Sequence, residues 1–265
     1  MTAIYSDANY AYPPPICSSI SSQYFWTMPD MDLVFVPCLE PDHILGLPDI
    51  YHELGHILLF RVKDRLEHPA LAIVDEHFER LLAEGRKSNL PTGSLEQIEQ
   101  YHHNWRRSWL LEIVSDLIAT YLVGPAFGWC NIRTATNLGG ELFIGNDSHP
   151  ADDARATAIG MMLTAIGYDG ERQLIENRWD ELTSLAAETA PHRYELAYPT
   201  ELLRELTDFL LQACNSLCLT QYGASASGGS TVANTINDCW SEFRRSPDSY
   251  AAYEREQLVR LLASR

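Results

Sequence analysis

The stretch Leu47-Pro48-Asp49-Ile50-Tyr51-His52-Glu53-Leu54-Gly55-His56-Ile57-Leu58-Leu59-Phe60 holds HExxH inside a run whose apolar residues recur at helical spacing. Residues four apart share one face of an α-helix, so the imidazoles of His52 and His56 can close on a single ion. Glu53 sits beside that face, where it can take a proton from a water without itself being a ligand. Pro48 and Asp49 supply a start signal, and a helix over about 49–66 is expected, ending near His68-Pro69. The plain alternative is a pair of core histidines satisfied by hydrogen bonds to their neighbours.

The next informative stretch lies in the longest helical pattern of the chain, Ser94 to Val123, with Ser94 and Gln97 as a candidate capping box. From Trp109 to Val123 nearly every residue is apolar, which requires a helix buried on most sides. The exceptions, Glu112, Ser115, Asp116 and Thr120, fall on one stripe and need a polar object to face. A catalytic zinc site takes three protein ligands and keeps one position open, and two histidines with a glutamate form one such set. Glu112 is therefore the expected third ligand, with Asp116, one turn on, accepting the free N–H of a metal-bound imidazole. A different role for these two acids is pairing with buried arginines. Other third ligands would be Asp75, Glu76 or His77 on a helix over about 70–85, or His102 and His103, all of which read as solvated surface. The metzincin pattern is excluded, because Leu59 and Val62 stand where its glycine and third histidine belong.

Around these blocks the chain reads as mainly α with a short β element. Residues 1 to about 28 look irregular, and Met31 to Cys38 reads as a strand that either packs or offers an edge to an extended peptide. Ala126 to Thr134 forms a short helix. Asn137 to Pro150 is a Gly-rich loop with a short strand over 141–144, delivering His149-Pro150 to a helix over 151–167 that carries Arg155 on its first turns. Helices are expected over 171–188, 199–221, 231–245 and 248–263. Residues 1–170 would form the core and 171–265 a helical region packed on it as one compact unit, available to a protein activator or partner.

Composition narrows the partners. Thirty-six acidic against 19 basic residues give a net charge of −17, which disfavours nucleic acid and anionic membrane surfaces and would suit a basic substrate. No apolar run reaches the ~18–20 residues needed to span a bilayer. Met1 to Tyr12 lacks the pattern of a secretory signal, and the six cysteines are scattered without CxxC, so a reducing cytoplasm is expected.

Three ordered blocks, His52-Glu53-x-x-His56, Glu112-x-x-x-Asp116 and His149-Pro150 with Arg155 six residues after the histidine, resemble the gluzincin metallopeptidases, most nearly the HtpX-type and CAAX-prenyl-protease-type branch. The resemblance covers roughly residues 47–160 and implies a zincin-like helical peptidase with His149 beside the substrate carbonyl and Arg155 holding the site together. The chain departs from that branch in showing no membrane helices. The expected activity is hydrolysis of peptide bonds by a zinc-activated water, with Glu53 as general base and His149 stabilising the oxyanion. The alternatives are a metallohydrolase of small amides and a helical interaction protein whose zinc is structural or whose site has decayed.

Overall fold

A computed structural model describes residues 15–21, 25–38, 43–138, 142–186, 189–223 and 229–263. Strands β1 (Ile16–Ser21), β2 (Trp26–Met28) and β3 (Leu33–Pro37) make one small sheet in the order β1-β3-β2, with β1 parallel and β2 antiparallel to β3. Beyond the sheet the chain is helical: α1 (Leu47–Arg61), α2 (Glu67–Lys87), α3 (Thr92–Asn104), α4 (Leu110–Val123), α5 (Pro125–Leu138), α6 (Asp152–Ala165), α7 (Asp169–Ala186), α8 (Thr200–Ser216), α9 (Gly229–Arg245) and α10 (Tyr250–Ala263). Among the described residues no helix is long and apolar enough to cross a membrane.

The apolar run that made α4 conspicuous now has its cause, because every residue from Ile113 to Val123 is buried. Helices α1, α5, α6, α8 and α9 all pack against it. Each fully buried Ile or Leu there contributes about 1.5–3 kcal/mol, so the axis of the molecule is also its main store of hydrophobic stabilisation. Gly124 ends the helix at φ +63°, and a Cβ there would lie 2.2 Å from the Tyr222 ring, so both conformation and space call for glycine.

Helix α1 approaches α4 more closely than ordinary side chains permit. Gly55, one of the two free positions in HExxH, faces Ser115, and a Cβ on it would stand 2.9 Å from the Ser115 Cα. Ser115 is thus on the stripe for its size: its buried hydroxyl finds no hydrogen-bond partner among the described residues. Arg61, in the last turn of α1, reaches both carboxylate oxygens of Asp32, at 3.0 and 2.6 Å, and so ties the helix to the turn between β2 and β3.

Several expectations are corrected. The strand expected over 31–38 lies between two partners, so it offers no free edge to a peptide; β1 and β2 take both sides, and Trp26 stacks on Phe35 with ring centroids 3.8 Å apart. Part of the stretch expected to be irregular, up to residue 28, is β1 and β2, while residues 1–14 lie outside the described set. Helix α1 stops at Arg61, and His68-Pro69 opens α2, where a proline in the first turn forfeits no helical bond. Gly85 does not stop α2, which runs on to Lys87, and positive φ is taken by Asn89. The capping box is not formed, because Ser94 already lies inside α3 and Gln97 donates to the Tyr101 hydroxyl. One turn of π-helix, Trp105–Trp109, interrupts the expected continuous helix between α3 and α4. Residues 142–150 form no strand, and 139–141 lie outside the described residues.

The C-terminal half is more than a cover. Asn237 of α9 donates to Val123 O at 2.6 Å and accepts from Ala126 N at 2.9 Å, satisfying the buried helix-end backbone groups between α4 and α5. Glu254 of α10 accepts from Ile44 N at 2.7 Å, just ahead of α1.

Replacing Gly55 by alanine should force α1 off α4 and destabilise the protein by about 1–3 kcal/mol. Gly93→Ala is the control, since nothing lies within 4 Å of its added Cβ and stability should be unchanged or slightly raised. Chemical denaturation of both variants measures the difference.

Candidate metal centre

The close approach of α1 and α4 brings three donors together. His52 Nε2 lies 3.1 Å from His56 Nε2 and 3.3 Å from Glu112 Oε2, and His56 Nε2 is 3.4 Å from Glu112 Oε1. One ligand atom from each of the three residues falls within 4.8 Å of the others, and among the described residues no other group of three does so. Donors about 2.0–2.1 Å from a tetrahedral zinc stand roughly 3.3–3.4 Å apart, so the three residues fit such an ion by both chemistry and spacing. The set could hold a metal ion, as the sequence leads one to expect of His52, His56 and Glu112.

The imidazole of His52 is held in one orientation. Its Nδ1 lies 2.7 Å from Asp116 Oδ1, and a carboxylate can only accept, so Nδ1 carries the hydrogen and Nε2 is turned to the other donors. Phe127 of α5 lies parallel to the ring, 6.1 Å between centroids. Asp116 is fully buried and is gripped in turn by Arg155, whose Nε and Nη2 donate at 2.7 and 2.8 Å. Both roles foreseen for Asp116, histidine orienter and partner of a buried arginine, are filled by its two oxygens at once.

Electrostatics follow from this packing. Burial alone would raise the Asp116 carboxyl, but the Arg155 guanidinium and the His52 ring outweigh it and hold the group below its usual value. Glu112 is likewise opposed by burial and brought well below the carboxylate range by hydrogen bonds and charge from His52 and His56. Burial works against the charged form of His52, yet Asp116 and Glu112 push it up to about 10 in the metal-free protein. Glu53 behaves differently. It is buried, and desolvation raises its pKa against the opposing pull of His52 and His56.

His149 reaches the same place from the loop ahead of α6. Its half-exposed ring sets Nε2 3.8 Å from Glu112 Oε2. The loop that carries it is pinned by the π turn and by the segment after α7: Trp109 Nε1 donates to Asn146 O at 2.7 Å, Ser108 Oγ to Asp147 O at 2.7 Å, and Ala151 N to the Tyr198 hydroxyl at 3.0 Å. Asn146 folds the loop on itself, its Oδ1 accepting from Ser148 N at 2.8 Å and His149 N at 2.9 Å.

Sequence reasoning missed Asn146, Ser148 and Phe127. An Asx turn was legible in Asn146-Asp147-Ser148 within a Gly-rich segment, whereas nothing local marks Phe127 as the residue behind His52. The expectation that Asp75, His77 and His102 are solvated is corrected: His77 is buried, and Asp75 receives His102 at 2.7 Å and Arg106 at 2.9 Å, joining α2 to α3 and the π turn. These residues fix helices and lie outside the donor set.

Removing the Asp116 carboxylate should cost about 3–5 kcal/mol of stability, because the part-buried Arg155 loses the carboxylate that takes its two hydrogen bonds. Metal affinity in Asp116→Ala should fall roughly 10–100-fold as His52 loses its orienting partner. Glu112→Ala should abolish tight metal uptake; retention of full affinity would place the third ligand elsewhere. Thermal denaturation and competition with a chromophoric chelator separate these effects. Compared with protein-family models, with curated proteins and with solved structures, the chain matches none.

Proposed function

We propose that the protein is a zinc-dependent hydrolase of amide bonds, acting on peptides. The observation that carries the reading is a buried carboxylate, Glu53, on the same helix as two histidines that share a third donor from α4. The order of the blocks, with Asp116 and Arg155 in the places the gluzincin resemblance gives them, supports the same reading. Zinc bound by His52, His56 and Glu112 would supply a Lewis acid that makes water nucleophilic near neutral pH and polarises a carbonyl.

The chain's own groups do the rest. Glu53, with its proton affinity raised by burial, accepts a proton from the attacking water and returns it to the leaving amine. A carboxylate at its ordinary pKa would be a weaker base at neutral pH, so desolvation of Glu53 serves the reaction. Asp116 and Arg155 hold His52 in place, with Phe127 parallel to its ring. The net charge of −17 favours basic peptides through long-range attraction.

Glu53→Gln keeps the volume and removes the base. Hydrolysis of an unfolded basic protein should fall by on the order of 100–10,000-fold while zinc content stays at one per chain. Turnover and metal analysis on the same preparation are the measurement. Undiminished activity would dismiss Glu53 as the base, and a wild-type protein that takes up no metal would dismiss the whole reading.

A further inference from the structure

We infer that Tyr198 is a positioning residue for the proposed hydrolysis, its hydroxyl fastening both ends of the loop 145–151 so that His149 stands at a fixed place beside the donor set. The inference rests on the reading of function above. It concerns a residue outside the stretch 47–160 that carries the resemblance.

A phenol oxygen can accept two hydrogen bonds. That of Tyr198 takes one from Ala151 N at 3.0 Å and another from the backbone N–H of Gly145, six residues earlier. Gly145 permits this because it has no side chain: a Cβ there would lie 2.2 Å from the Tyr198 hydroxyl, 2.9 Å from His149 O and 3.0 Å from Ala151 N. Between the two fastened ends the chain turns on itself, with Asn146 N donating to His149 O at 2.9 Å. His149 therefore sits in a closed ring of backbone whose clasp is a side chain from the segment ahead of α8.

The tyrosine is itself referenced to the helix that supplies Glu112. Its buried ring stacks on that of Trp109, with centroids 4.8 Å apart. Trp109, three residues before Glu112, donates its indole N–H to Asn146 O at 2.7 Å, and Trp105 donates to Ala197 O, next to Tyr198, at 2.8 Å. The path from Glu112 through the two tryptophans to Tyr198, and from there into the loop, closes at His149 Nε2, 3.8 Å from Glu112 Oε2. A loop held only to complete the core would bury apolar surface, and this one does little of that: Ile144 is 53% exposed, and residues 146–149 are exposed. What the clasp fixes is the place of one side chain. A reacting group displaced by about 1 Å can lose on the order of 100-fold in rate, which gives a distant hydroxyl its leverage over the reaction expected of His149.

Tyr198→Phe keeps the ring and its stacking and removes the acceptor. The His149 ring signal in a proton–carbon NMR spectrum, assigned as the one missing from His149→Ala, should shift or broaden in this variant. Exchange of the Gly145 and Ala151 amides should quicken by about tenfold. With unfolded histone as a basic substrate, kcat should fall about 10–100-fold while KM and zinc content change little. In a double-mutant cycle that loss should vanish: Tyr198→Phe placed on His149→Ala should lower kcat no further, although it lowers thermal stability as much as before. Trp109→Phe, which keeps an aromatic ring and gives up the indole N–H, should act in the same direction and serves where Tyr198→Phe folds poorly. An unmoved His149 signal in Tyr198→Phe, or a loss of kcat equally large with and without His149, would overturn the inference and leave Glu53 and the three donors standing. A wild-type protein that takes up no zinc or leaves histone intact would instead dismiss the hydrolase reading, and the positioning role with it.

Discussion

A single carboxylate, Asp116, joins three helices and orients the His52 ring of the candidate metal site. It sits on α4 with no exposed surface, takes two hydrogen bonds from Arg155 of α6, and accepts a third from His52 of α1. Burying a charge is costly, and an ion pair in a protein interior often stabilises no better than well-packed apolar side chains. What apolar residues could not do is decide which nitrogen of His52 carries hydrogen. The pair is best understood as a device for orientation, with the surrounding apolar packing of α4 offsetting its desolvation.

Distance matters as much as charge. Glu112 can meet His52 and His56 only because α1 and α4 are in near backbone contact, with Gly55 against Ser115. The motif on α1 thus contains both its two histidines and the gap in side-chain volume that brings the third donor within reach. Turning one helix about its axis would separate the ligands, but the anchors at both ends of α1 oppose this: Arg61 holds Asp32 at one end, and Glu254 of α10 receives the backbone just ahead of the other.

The site was readable from the sequence because its parts follow local rules. HExxH declares its geometry through the helical repeat, and Glu112 and Asp116 stand out as polar residues on a helix otherwise too apolar to be exposed. His149 and Arg155 were visible at a loop end and on a first helical turn. What escaped depends on partners far along the chain. That β3 is central follows from β1 and β2, the one Ser-rich and the other only three residues long, which announce no strand; that Asp75 and His102 are structural follows from the packing of α2 on α3. Gly85 looked like a stop and is a point of close packing, with Leu95 2.9 Å from its virtual Cβ. Local propensity cannot distinguish these cases.

The π turn at Trp105–Trp109 has a bearing on how the long helical arm tolerates change in length. A π turn holds one residue more than the α turn it replaces, and each residue of an α-helix advances about 100° around the axis. Deleting one residue there would let the turn relax to α with α3 and α4 still in phase, whereas forcing all five residues into α geometry would rotate α3 by about that angle relative to α4. His102 would swing away from Asp75, and Trp105 would lose the Ala197 carbonyl that its indole reaches at 2.8 Å. The turn therefore works as a phase adjuster: it absorbs one residue, so that a helical arm of this length satisfies two sets of neighbours that an uninterrupted α-helix of the same length could not meet together.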